Sequence, residues 1–268
     1  QKVASCAVAS AAKENDLPLI QPVALKKNLE LFEQFKRLEP DVIVVVAYGK
    51  YLPNEILSMP KYGCINVHPS LLPKYRGAAP INWAIINGEK NTGVTTMYLN
   101  DGMDSGDTLL QVATEIMPHE TAEELHNHLA VTGAELLIKT LDEVAKGLKG
   151  VPQKHEEATF APLLKKEDGL IDWSMSAEAI YNRIRGLQSW PKAYTMDEGK
   201  LLSIFDAAVI EKDAGEQPGT IIDLKGGIIV ATGSGQLCLL EVQLPGKRRM
   251  PAVDFVKGGK LKVGDRFL

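Results

Sequence analysis

The sequence predicts a two-domain α/β chain: a larger domain built on a mostly parallel sheet, then a small β-barrel. Three observations carry that reading. Residues 41–47 read DVIVVVA, an almost unbroken β-branched run of the kind that fills a central strand buried on both faces. Strand-like and helix-like segments alternate as far as residue 149, the pattern of crossover units. Beyond residue 169 the segments become short and β-like, separated by Gly and Pro, and closure into a barrel removes their exposed edges.

Taken in order, residues 3–14 are Ala-rich and predict a helix, followed by a short apolar stretch at 17–20. Leu29, Leu31, Phe32, Phe35 and Leu38 recur at helical spacing. After the strand at 41–47, residues 53–59 predict a short helix and 64–67 a second strand that runs into His68-Pro69. Pro80 suits the first turn of a helix over 80–86, since its missing N–H is an unpaired donor there anyway. Residues 92–99 and 108–116 read as strands. Thr121 and Glu124 have capping-box spacing ahead of a long helix reaching Val144. Residues 151–169 mix charges and prolines without a period and read as a linker between domains at 1–150 and 170–268. Ser176 caps a helix over 177–187, and strands follow at 201–205, 208–210, 220–222, 227–231 and 236–242.

Composition excludes several classes. The 268 residues are 45% hydrophobic, enough for a sizeable core, and the length suits one large domain plus one smaller one. No run of 18 apolar residues predicts a membrane span. Cys6, Cys64 and Cys238 have neither disulfide-framework nor zinc-site spacing and read as reduced, small hydrophobes. Residues 1–169 carry 17 Lys and Arg against 22 Asp and Glu, a net of −5; residues 170–268 carry 13 against 12, a net of +1. Neither half is an extended nucleic-acid-binding surface, though a local basic patch remains open.

Two polar clusters can do chemistry. Asn66 and His68 alternate on a strand and share a face, at the carboxyl end where open α/β sheets place ligands. A pair of donors there stabilises an oxyanion, and His also carries a proton; a structurally satisfied histidine at a strand end is the plain alternative. Residues 100–107, NDGMDSGD, read either as a tight turn or as a loop that sets a carboxylate beside that histidine, where it would hold the imidazole, raise its proton affinity or relay a proton. The loop lacks the alternation and terminal Glu of a calcium loop. No GxSxG nucleophile elbow exists, and His126 and His128 are two apart on a predicted helix, on different faces.

Residues 63–86, GCINVHPSLLPKYRGAAPINWAII, followed by 89–110, EKNTGVTTMYLNDGMDSGDTLL, resemble the signature of the folate-dependent formyltransferase family. Residues 171–195, IDWSMSAEAIYNRIRGLQSWPKAYT, and 235–258, GQLCLLEVQLPGKRRMPAVDFVKG, resemble the second domain of the branch that acts on tRNA. The resemblance implies a Rossmann-like formyltransferase domain and an OB-like barrel that contacts tRNA. It implies Asn66, His68 and Asp104 as the catalytic triplet. The formyl donor it implies is 10-formyltetrahydrofolate, held near Tyr48, Gly49, Leu52, Ser70, Leu71, Leu72, Pro73 and Asp101, with no metal. The acceptor it implies is initiator methionyl-tRNA, with Arg76, Lys247, Arg248 and Arg249 as phosphate contacts and Arg183 and Arg185 as weaker ones.

Related members act on nucleotide-linked amino sugars, and a non-catalytic tRNA-binding relative is the remaining alternative. A monomer is expected, in the cytoplasm or in an organelle of bacterial ancestry. Family members begin with a further strand, a Gly-containing turn, a helix and a second strand. The sequence, starting at Gln1, is therefore expected to lack its beginning, including most of a basic, Gly-rich loop implicated in acceptor-stem recognition.

Overall fold

The computed structural model describes residues 6–25, 28–197, 199–212 and 215–267. The chain divides into two compact units, residues 1–43 with 50–63, and residues 44–49 with 64–268.

The first unit holds three helices, α1 (Ala7–Glu14), α2 (Leu29–Leu38) and α3 (Asn54–Leu57). The predicted start of the first helix at Val3 lies outside the described residues. α2 begins where the Asn28 side chain accepts the Leu31 N–H at 3.1 Å and ends at Glu39, whose φ of 44° is left-handed. Lys36 and Arg37 in its last turn suit the negative end of the helix dipole. Leu31 and Phe32 are buried, and α2 packs on α3, whose Ile56 is also buried.

Strand β1 (Ile43–Val46) spans the junction of the units, and the remaining elements belong to the second. They are β2 (Cys64–His68), β3 (Arg76–Gly77), α4 (Pro80–Ile86), β4 (Asn91–Tyr98), β5 (Thr108–Glu115), α5 (Ala122–Ala145), β6 (Phe160–Ala161) and α6 (Ala177–Gly186). Then come β7 (Ala193–Asp197), β8 (Lys200–Ile210), β9 (Ile221–Asp223), β10 (Ile228–Ala231), β11 (Gln236–Gln243), β12 (Met250–Pro251) and α7 (Ala252–Val256).

The first sheet runs β1-β2-β4-β5, and both β2–β4 and β4–β5 are antiparallel. The strand–helix–strand pattern at 64–99 therefore makes no parallel crossover: α4 packs on α6 of the following domain, leaving β4 free to return beside β2. The Thr121–Glu124 capping box forms as expected, and α5 buries Leu125, Leu129, Gly133, Leu136, Thr140 and Val144 at three- and four-residue spacing. Close approach needs Gly133, where a Cβ would sit 3.1 Å from a Val67 methyl carbon. Val67 and Thr96 face α5, with Thr96 Oγ1 2.9 Å from Thr140 Oγ1, so Asn66 and His68 face the opposite side.

One strand departs from expectation. Residues 41–47 read as buried on both faces, yet β1 alternates, with Val46 56% exposed. Among the described residues it ends its sheet's order, and α5 packs chiefly on β2, β4 and β5, so these valines lack that helix's cover.

The predicted barrel strands form an antiparallel sheet in the order β7-β8-β11-β10-β9, with β12 on β11. The sheet encloses α6: Ala177, Ile180 and Ile184 pack with Leu202, Ile204, Ile228, Leu237 and Leu239. Ser176 caps α6 through Ala179 N–H at 3.2 Å. The strands expected at 201–205 and 208–210 are one strand, β8, and the register shift against β11 falls beside Asp206 where the break was expected. Residues 151–169 are no free tether. Val151 exchanges two backbone hydrogen bonds with Thr108, at 2.9 and 2.8 Å, and β6 pairs with β3. Among the described residues, no helix is long and apolar enough to cross a membrane.

Leu129 is buried under the sheet and Val131 is exposed on the same helix. Leu129→Ala is expected to lower unfolding free energy by about 2–5 kcal/mol, through lost transfer energy plus a cavity. Val131→Ala is expected to change it by no more than about 0.5 kcal/mol. Urea titration of both variants checks the pair.

Candidate active site

His68 ends β2 with 4% of its surface exposed. Its Nε2 lies 2.9 Å from the Tyr75 carbonyl oxygen. A carbonyl only accepts, so Nε2 carries the hydrogen, and the lone pair of the neutral ring sits on Nδ1. Nδ1 faces Asp104 Oδ2 at 3.7 Å, too long for a direct hydrogen bond but close enough for strong electrostatic influence. Burial holds the His68 pKa below the ordinary imidazole value, opposed by the Asp104 carboxylate and the Tyr75 carbonyl. The resting ring is neutral, and any proton it takes arrives at Nδ1, toward Asp104.

Asp104 reaches this position from a turn in which its own φ is 46°, left-handed. Asp and Asn tolerate that region better than most residues. Its Oδ2 accepts the Gly77 N–H at 2.8 Å, and its carbonyl accepts Gln153 Nε2 at 2.9 Å. Asn66, two residues before His68 on the same face, is half-buried, and its side-chain amide has no hydrogen-bond partner among the described residues. Strand alternation, a turn and a backbone N–H thus bring Asn66, His68 and Asp104 to one place.

The loop after His68 is pinned to the sheet from below. Thr95 Oγ1, opposite His68 on β4, donates to Ser70 O at 2.6 Å and accepts Leu72 N–H at 3.1 Å. Gln111 Nε2 donates to Leu72 O at 2.8 Å and to Thr95 Oγ1 at 2.9 Å. Ser70 is buried, its hydroxyl on the Lys74 carbonyl at 2.6 Å. Leu71 packs over Gly93, where a Cβ would lie 2.6 Å from a Leu71 methyl carbon. Ser70, Leu71, Leu72 and Pro73 thereby form a rigid rim beside the triplet.

The other expected residues lie as follows. Tyr48 and Gly49 follow β1, Tyr48 exposed and Gly49 at φ 72°; Leu52 belongs to the first unit and is half-buried. Asp101 is exposed in the turn that Asn100 Oδ1 organises by accepting Gly102 N–H and Ser105 Oγ–H, each at 3.0 Å. Lys247, Arg248 and Arg249 are exposed; Arg249 pairs with Glu241 and lies over the Phe205 ring at 4.5 Å. Arg76 departs from the surface contact expected of it. It is 5% exposed, with Nε and Nη2 donating to Gln153 Oε1 at 3.1 and 2.7 Å, because β6 and the chain before it cover β3. Arg183 and Arg185 likewise turn inward, to the Asp168 carbonyl at 2.6 Å and the Glu120 carbonyl at 2.7 Å.

Sequence reasoning missed Gln153, Thr95, Gln111 and the Tyr75 carbonyl. Thr95 and Gln111 sit opposite each other on β4 and β5, and alternation from His68 points to the first of them. Gln153 lies in a stretch without period and carries no such signal.

Residues 3–141 match the model of the formyl transferase family, and residues 163–260 match that of the formyl transferase C-terminal domain. The chain is 49% identical over 256 residues to the methionyl-tRNA formyltransferase of Citrifermentans bemidjiense, covering 94% of this chain and 79% of that protein. It is 48% identical over 267 residues to that of Alkaliphilus oremlandii, covering 99% and 86%. Among solved structures it resembles HypX from Aquifex aeolicus in complex with tetrahydrofolic acid, with TM-score 0.63 and 21% identity over 85% of this chain and 40% of HypX. It also resembles the N-formyltransferase from Helicobacter canadensis in complex with folinic acid and dTDP-3-aminofucose, with TM-score 0.61 and 17% identity over 87% and 82%. At these identities the solved structures speak to the fold.

The geometry makes a titration prediction. The His68 imidazole, followed by NMR, is expected to titrate below about 6.5, the free-histidine value. Asp104→Asn is expected to move it lower still, since the carboxylate favours the cation. The folded pKa is depressed, so the unfolded chain binds more protons below about 6.5, and His68's contribution to stability is lost as pH falls through that range. A His68 titration above the free value contradicts this arrangement.

Proposed function

Because the chain belongs to the formyl transferase family, we propose that it transfers the formyl group of 10-formyltetrahydrofolate to the α-amine of initiator methionyl-tRNA. The observation that carries this reading is the convergence of Asn66, His68 and Asp104 beside a pinned loop, in a chain alike over both domains to methionyl-tRNA formyltransferases. A reduced folate fits the residues present: Asn66 has an uncommitted amide, and Leu71 and Leu72 line a rim whose backbone is already held. When bound, the donor supplies the formyl carbon and, at N10, the departing nitrogen.

The chain's own groups do the rest. The Asn66 amide donates to the formyl oxygen as negative charge grows there, a contact of a kind whose loss costs about 3 kcal/mol of barrier. The acceptor amine attacks only as the free base. His68, neutral at rest, takes the amine proton at Nδ1, and Asp104 stabilises the resulting imidazolium. The same proton is then available to the departing nitrogen. Tyr75 holds the ring through Nε2 throughout, so the catalytic nitrogen does not change.

For tRNA we assign phosphate contacts to Lys247 and Arg248, exposed and with charged side chains that make no hydrogen bond or ion pair among the described residues, with Arg249 beside them braced on Phe205 and Glu241. Arg76 is left out of that set because its guanidinium is buried.

Labelled 10-formyltetrahydrofolate, incubated with methionyl-tRNA or with a nucleotide-linked amino sugar, tests the acceptor. Formyl-methionyl-tRNA is the expected product, and label in the sugar alone contradicts the reading. His68→Ala is expected to lower kcat by about 10²–10⁴ and Asn66→Ala by about 10²–10³. Lys247→Ala with Arg248→Ala is expected to raise KM for tRNA. The same pair should flatten the dependence of log affinity on log salt by about one unit per phosphate contact removed, while the KM for the donor stays put. An unchanged salt slope removes these residues from the interface.

A further inference from the structure

We propose that Gln153 is a positioning residue for Asp104, held in place by buried Arg76; the proposal rests on the catalytic reading above and deepens it. Gln153 uses its whole side-chain amide. Nε2 donates to the carbonyls of Asp104 at 2.9 Å and Gly106 at 2.6 Å, and Oε1 accepts from Arg76 Nε at 3.1 Å and Nη2 at 2.7 Å. Arg76 is followed by Gly77, whose N–H holds Asp104 Oδ2 at 2.8 Å. The ring therefore runs from Gln153 to the Asp104 backbone, through the Asp104 carboxylate to Gly77, and back through Arg76.

Each link is short of freedom. Gly77 has φ 123° and touches β6 so closely that a Cβ would lie 2.5 Å from the Ala161 carbonyl oxygen. A Cβ on Gly106 would lie 1.9 Å from the Tyr98 carbonyl oxygen. Asp104 between them holds a left-handed backbone that needs its neighbours to maintain it. With the two carbonyls released, the turn can relax and carry the carboxylate away from His68 Nδ1.

Arg76 makes no ion pair within 4 Å among the described residues; its other contact is His155 Nδ1, 3.2 Å from Nη2. Burial disfavours its charge and Asp104 favours it. His155 lies in the 3-10 turn His155–Glu157 and meets Arg76 only as a hydrogen-bond partner of Nη2. Arg76 and Gln153 touch neither of the two catalytic side chains directly, and they act through Gly77 and the Asp104 carbonyl.

Two variants of the intact protein test this. Gln153→Met keeps the volume and removes all four hydrogen bonds. Gln153→Glu keeps an acceptor for Arg76, which preserves that buried contact, and removes both donors to the turn. Both are expected to lower kcat on the order of 10- to 100-fold, the scale of a misplaced catalytic group, with KM for each substrate within about threefold. In Gln153→Met the His68 NMR titration is expected to move to lower pH as the carboxylate withdraws. Wild-type kcat in both variants overturns the proposal, and so does a kcat loss with an unmoved His68 titration, which marks a merely structural role. If Gln153→Met fails to fold, Gln153→Glu decides by its kcat-against-KM split: a lowered kcat at an unchanged KM supports the proposal, and a wild-type kcat or a loss shared with KM overturns it. Retention of full activity by His68→Ala instead overturns the underlying catalytic reading, a distinguishable result.

Discussion

The hydrogen bond from His68 Nε2 to the Tyr75 carbonyl is the constraint on which the site depends. It commits one ring nitrogen to the backbone and leaves the other as the single basic position. Everything nearby then answers where that position points. Tyr75 has φ 60°, and its N–H is held by Thr159 Oγ1 at 2.9 Å and its hydroxyl by Glu89 at 2.8 Å, so the accepting carbonyl is itself fixed. Burial also pushes the Tyr75 hydroxyl pKa up to about 12.

Around that bond the fold divides labour between the faces of one sheet. α5 seals one face with apolar side chains and the Thr96–Thr140 contact. The opposite face carries Asn66, His68 and Thr95, the last of them anchoring the loop that follows His68. A buried neutral imidazole costs less than a buried cation, so the resting state is the form able to accept a proton. The charged state is favoured by the carboxylate across from Nδ1 and by the Tyr75 carbonyl at Nε2. The second domain is joined to this one by more than a tether. α4 meets α6, Asn82 donates to the Gly186 carbonyl at 2.8 Å, and Arg185 reaches the chain before α5.

Much of this was legible in the sequence, and the reasons are specific. Asn66 and His68 share a face because strands alternate, which needs no structure to foresee. The Thr121 cap and the Pro80 start obey local rules and form as written. Asp104 was visible as a turn carboxylate, but its meeting with His68 depends on Gly77, whose role is only a backbone N–H. Arg76 illustrates the limit most clearly. A charged residue in a loop reads as exposed, and only the fold shows a segment nearly eighty positions later lying across it and binding it through Gln153. That segment looked like a linker because an extended chain held by single, irregular contacts has no period to detect.

The most direct test is the tautomer of His68, read by ¹⁵N NMR at neutral pH. The account predicts a neutral ring with hydrogen on Nε2 and a bare Nδ1, the nitrogen facing Asp104. Hydrogen on Nδ1, or a ring already cationic at neutral pH, would contradict it, since the proton acceptor would then be absent from the place where the acceptor amine must deliver its proton.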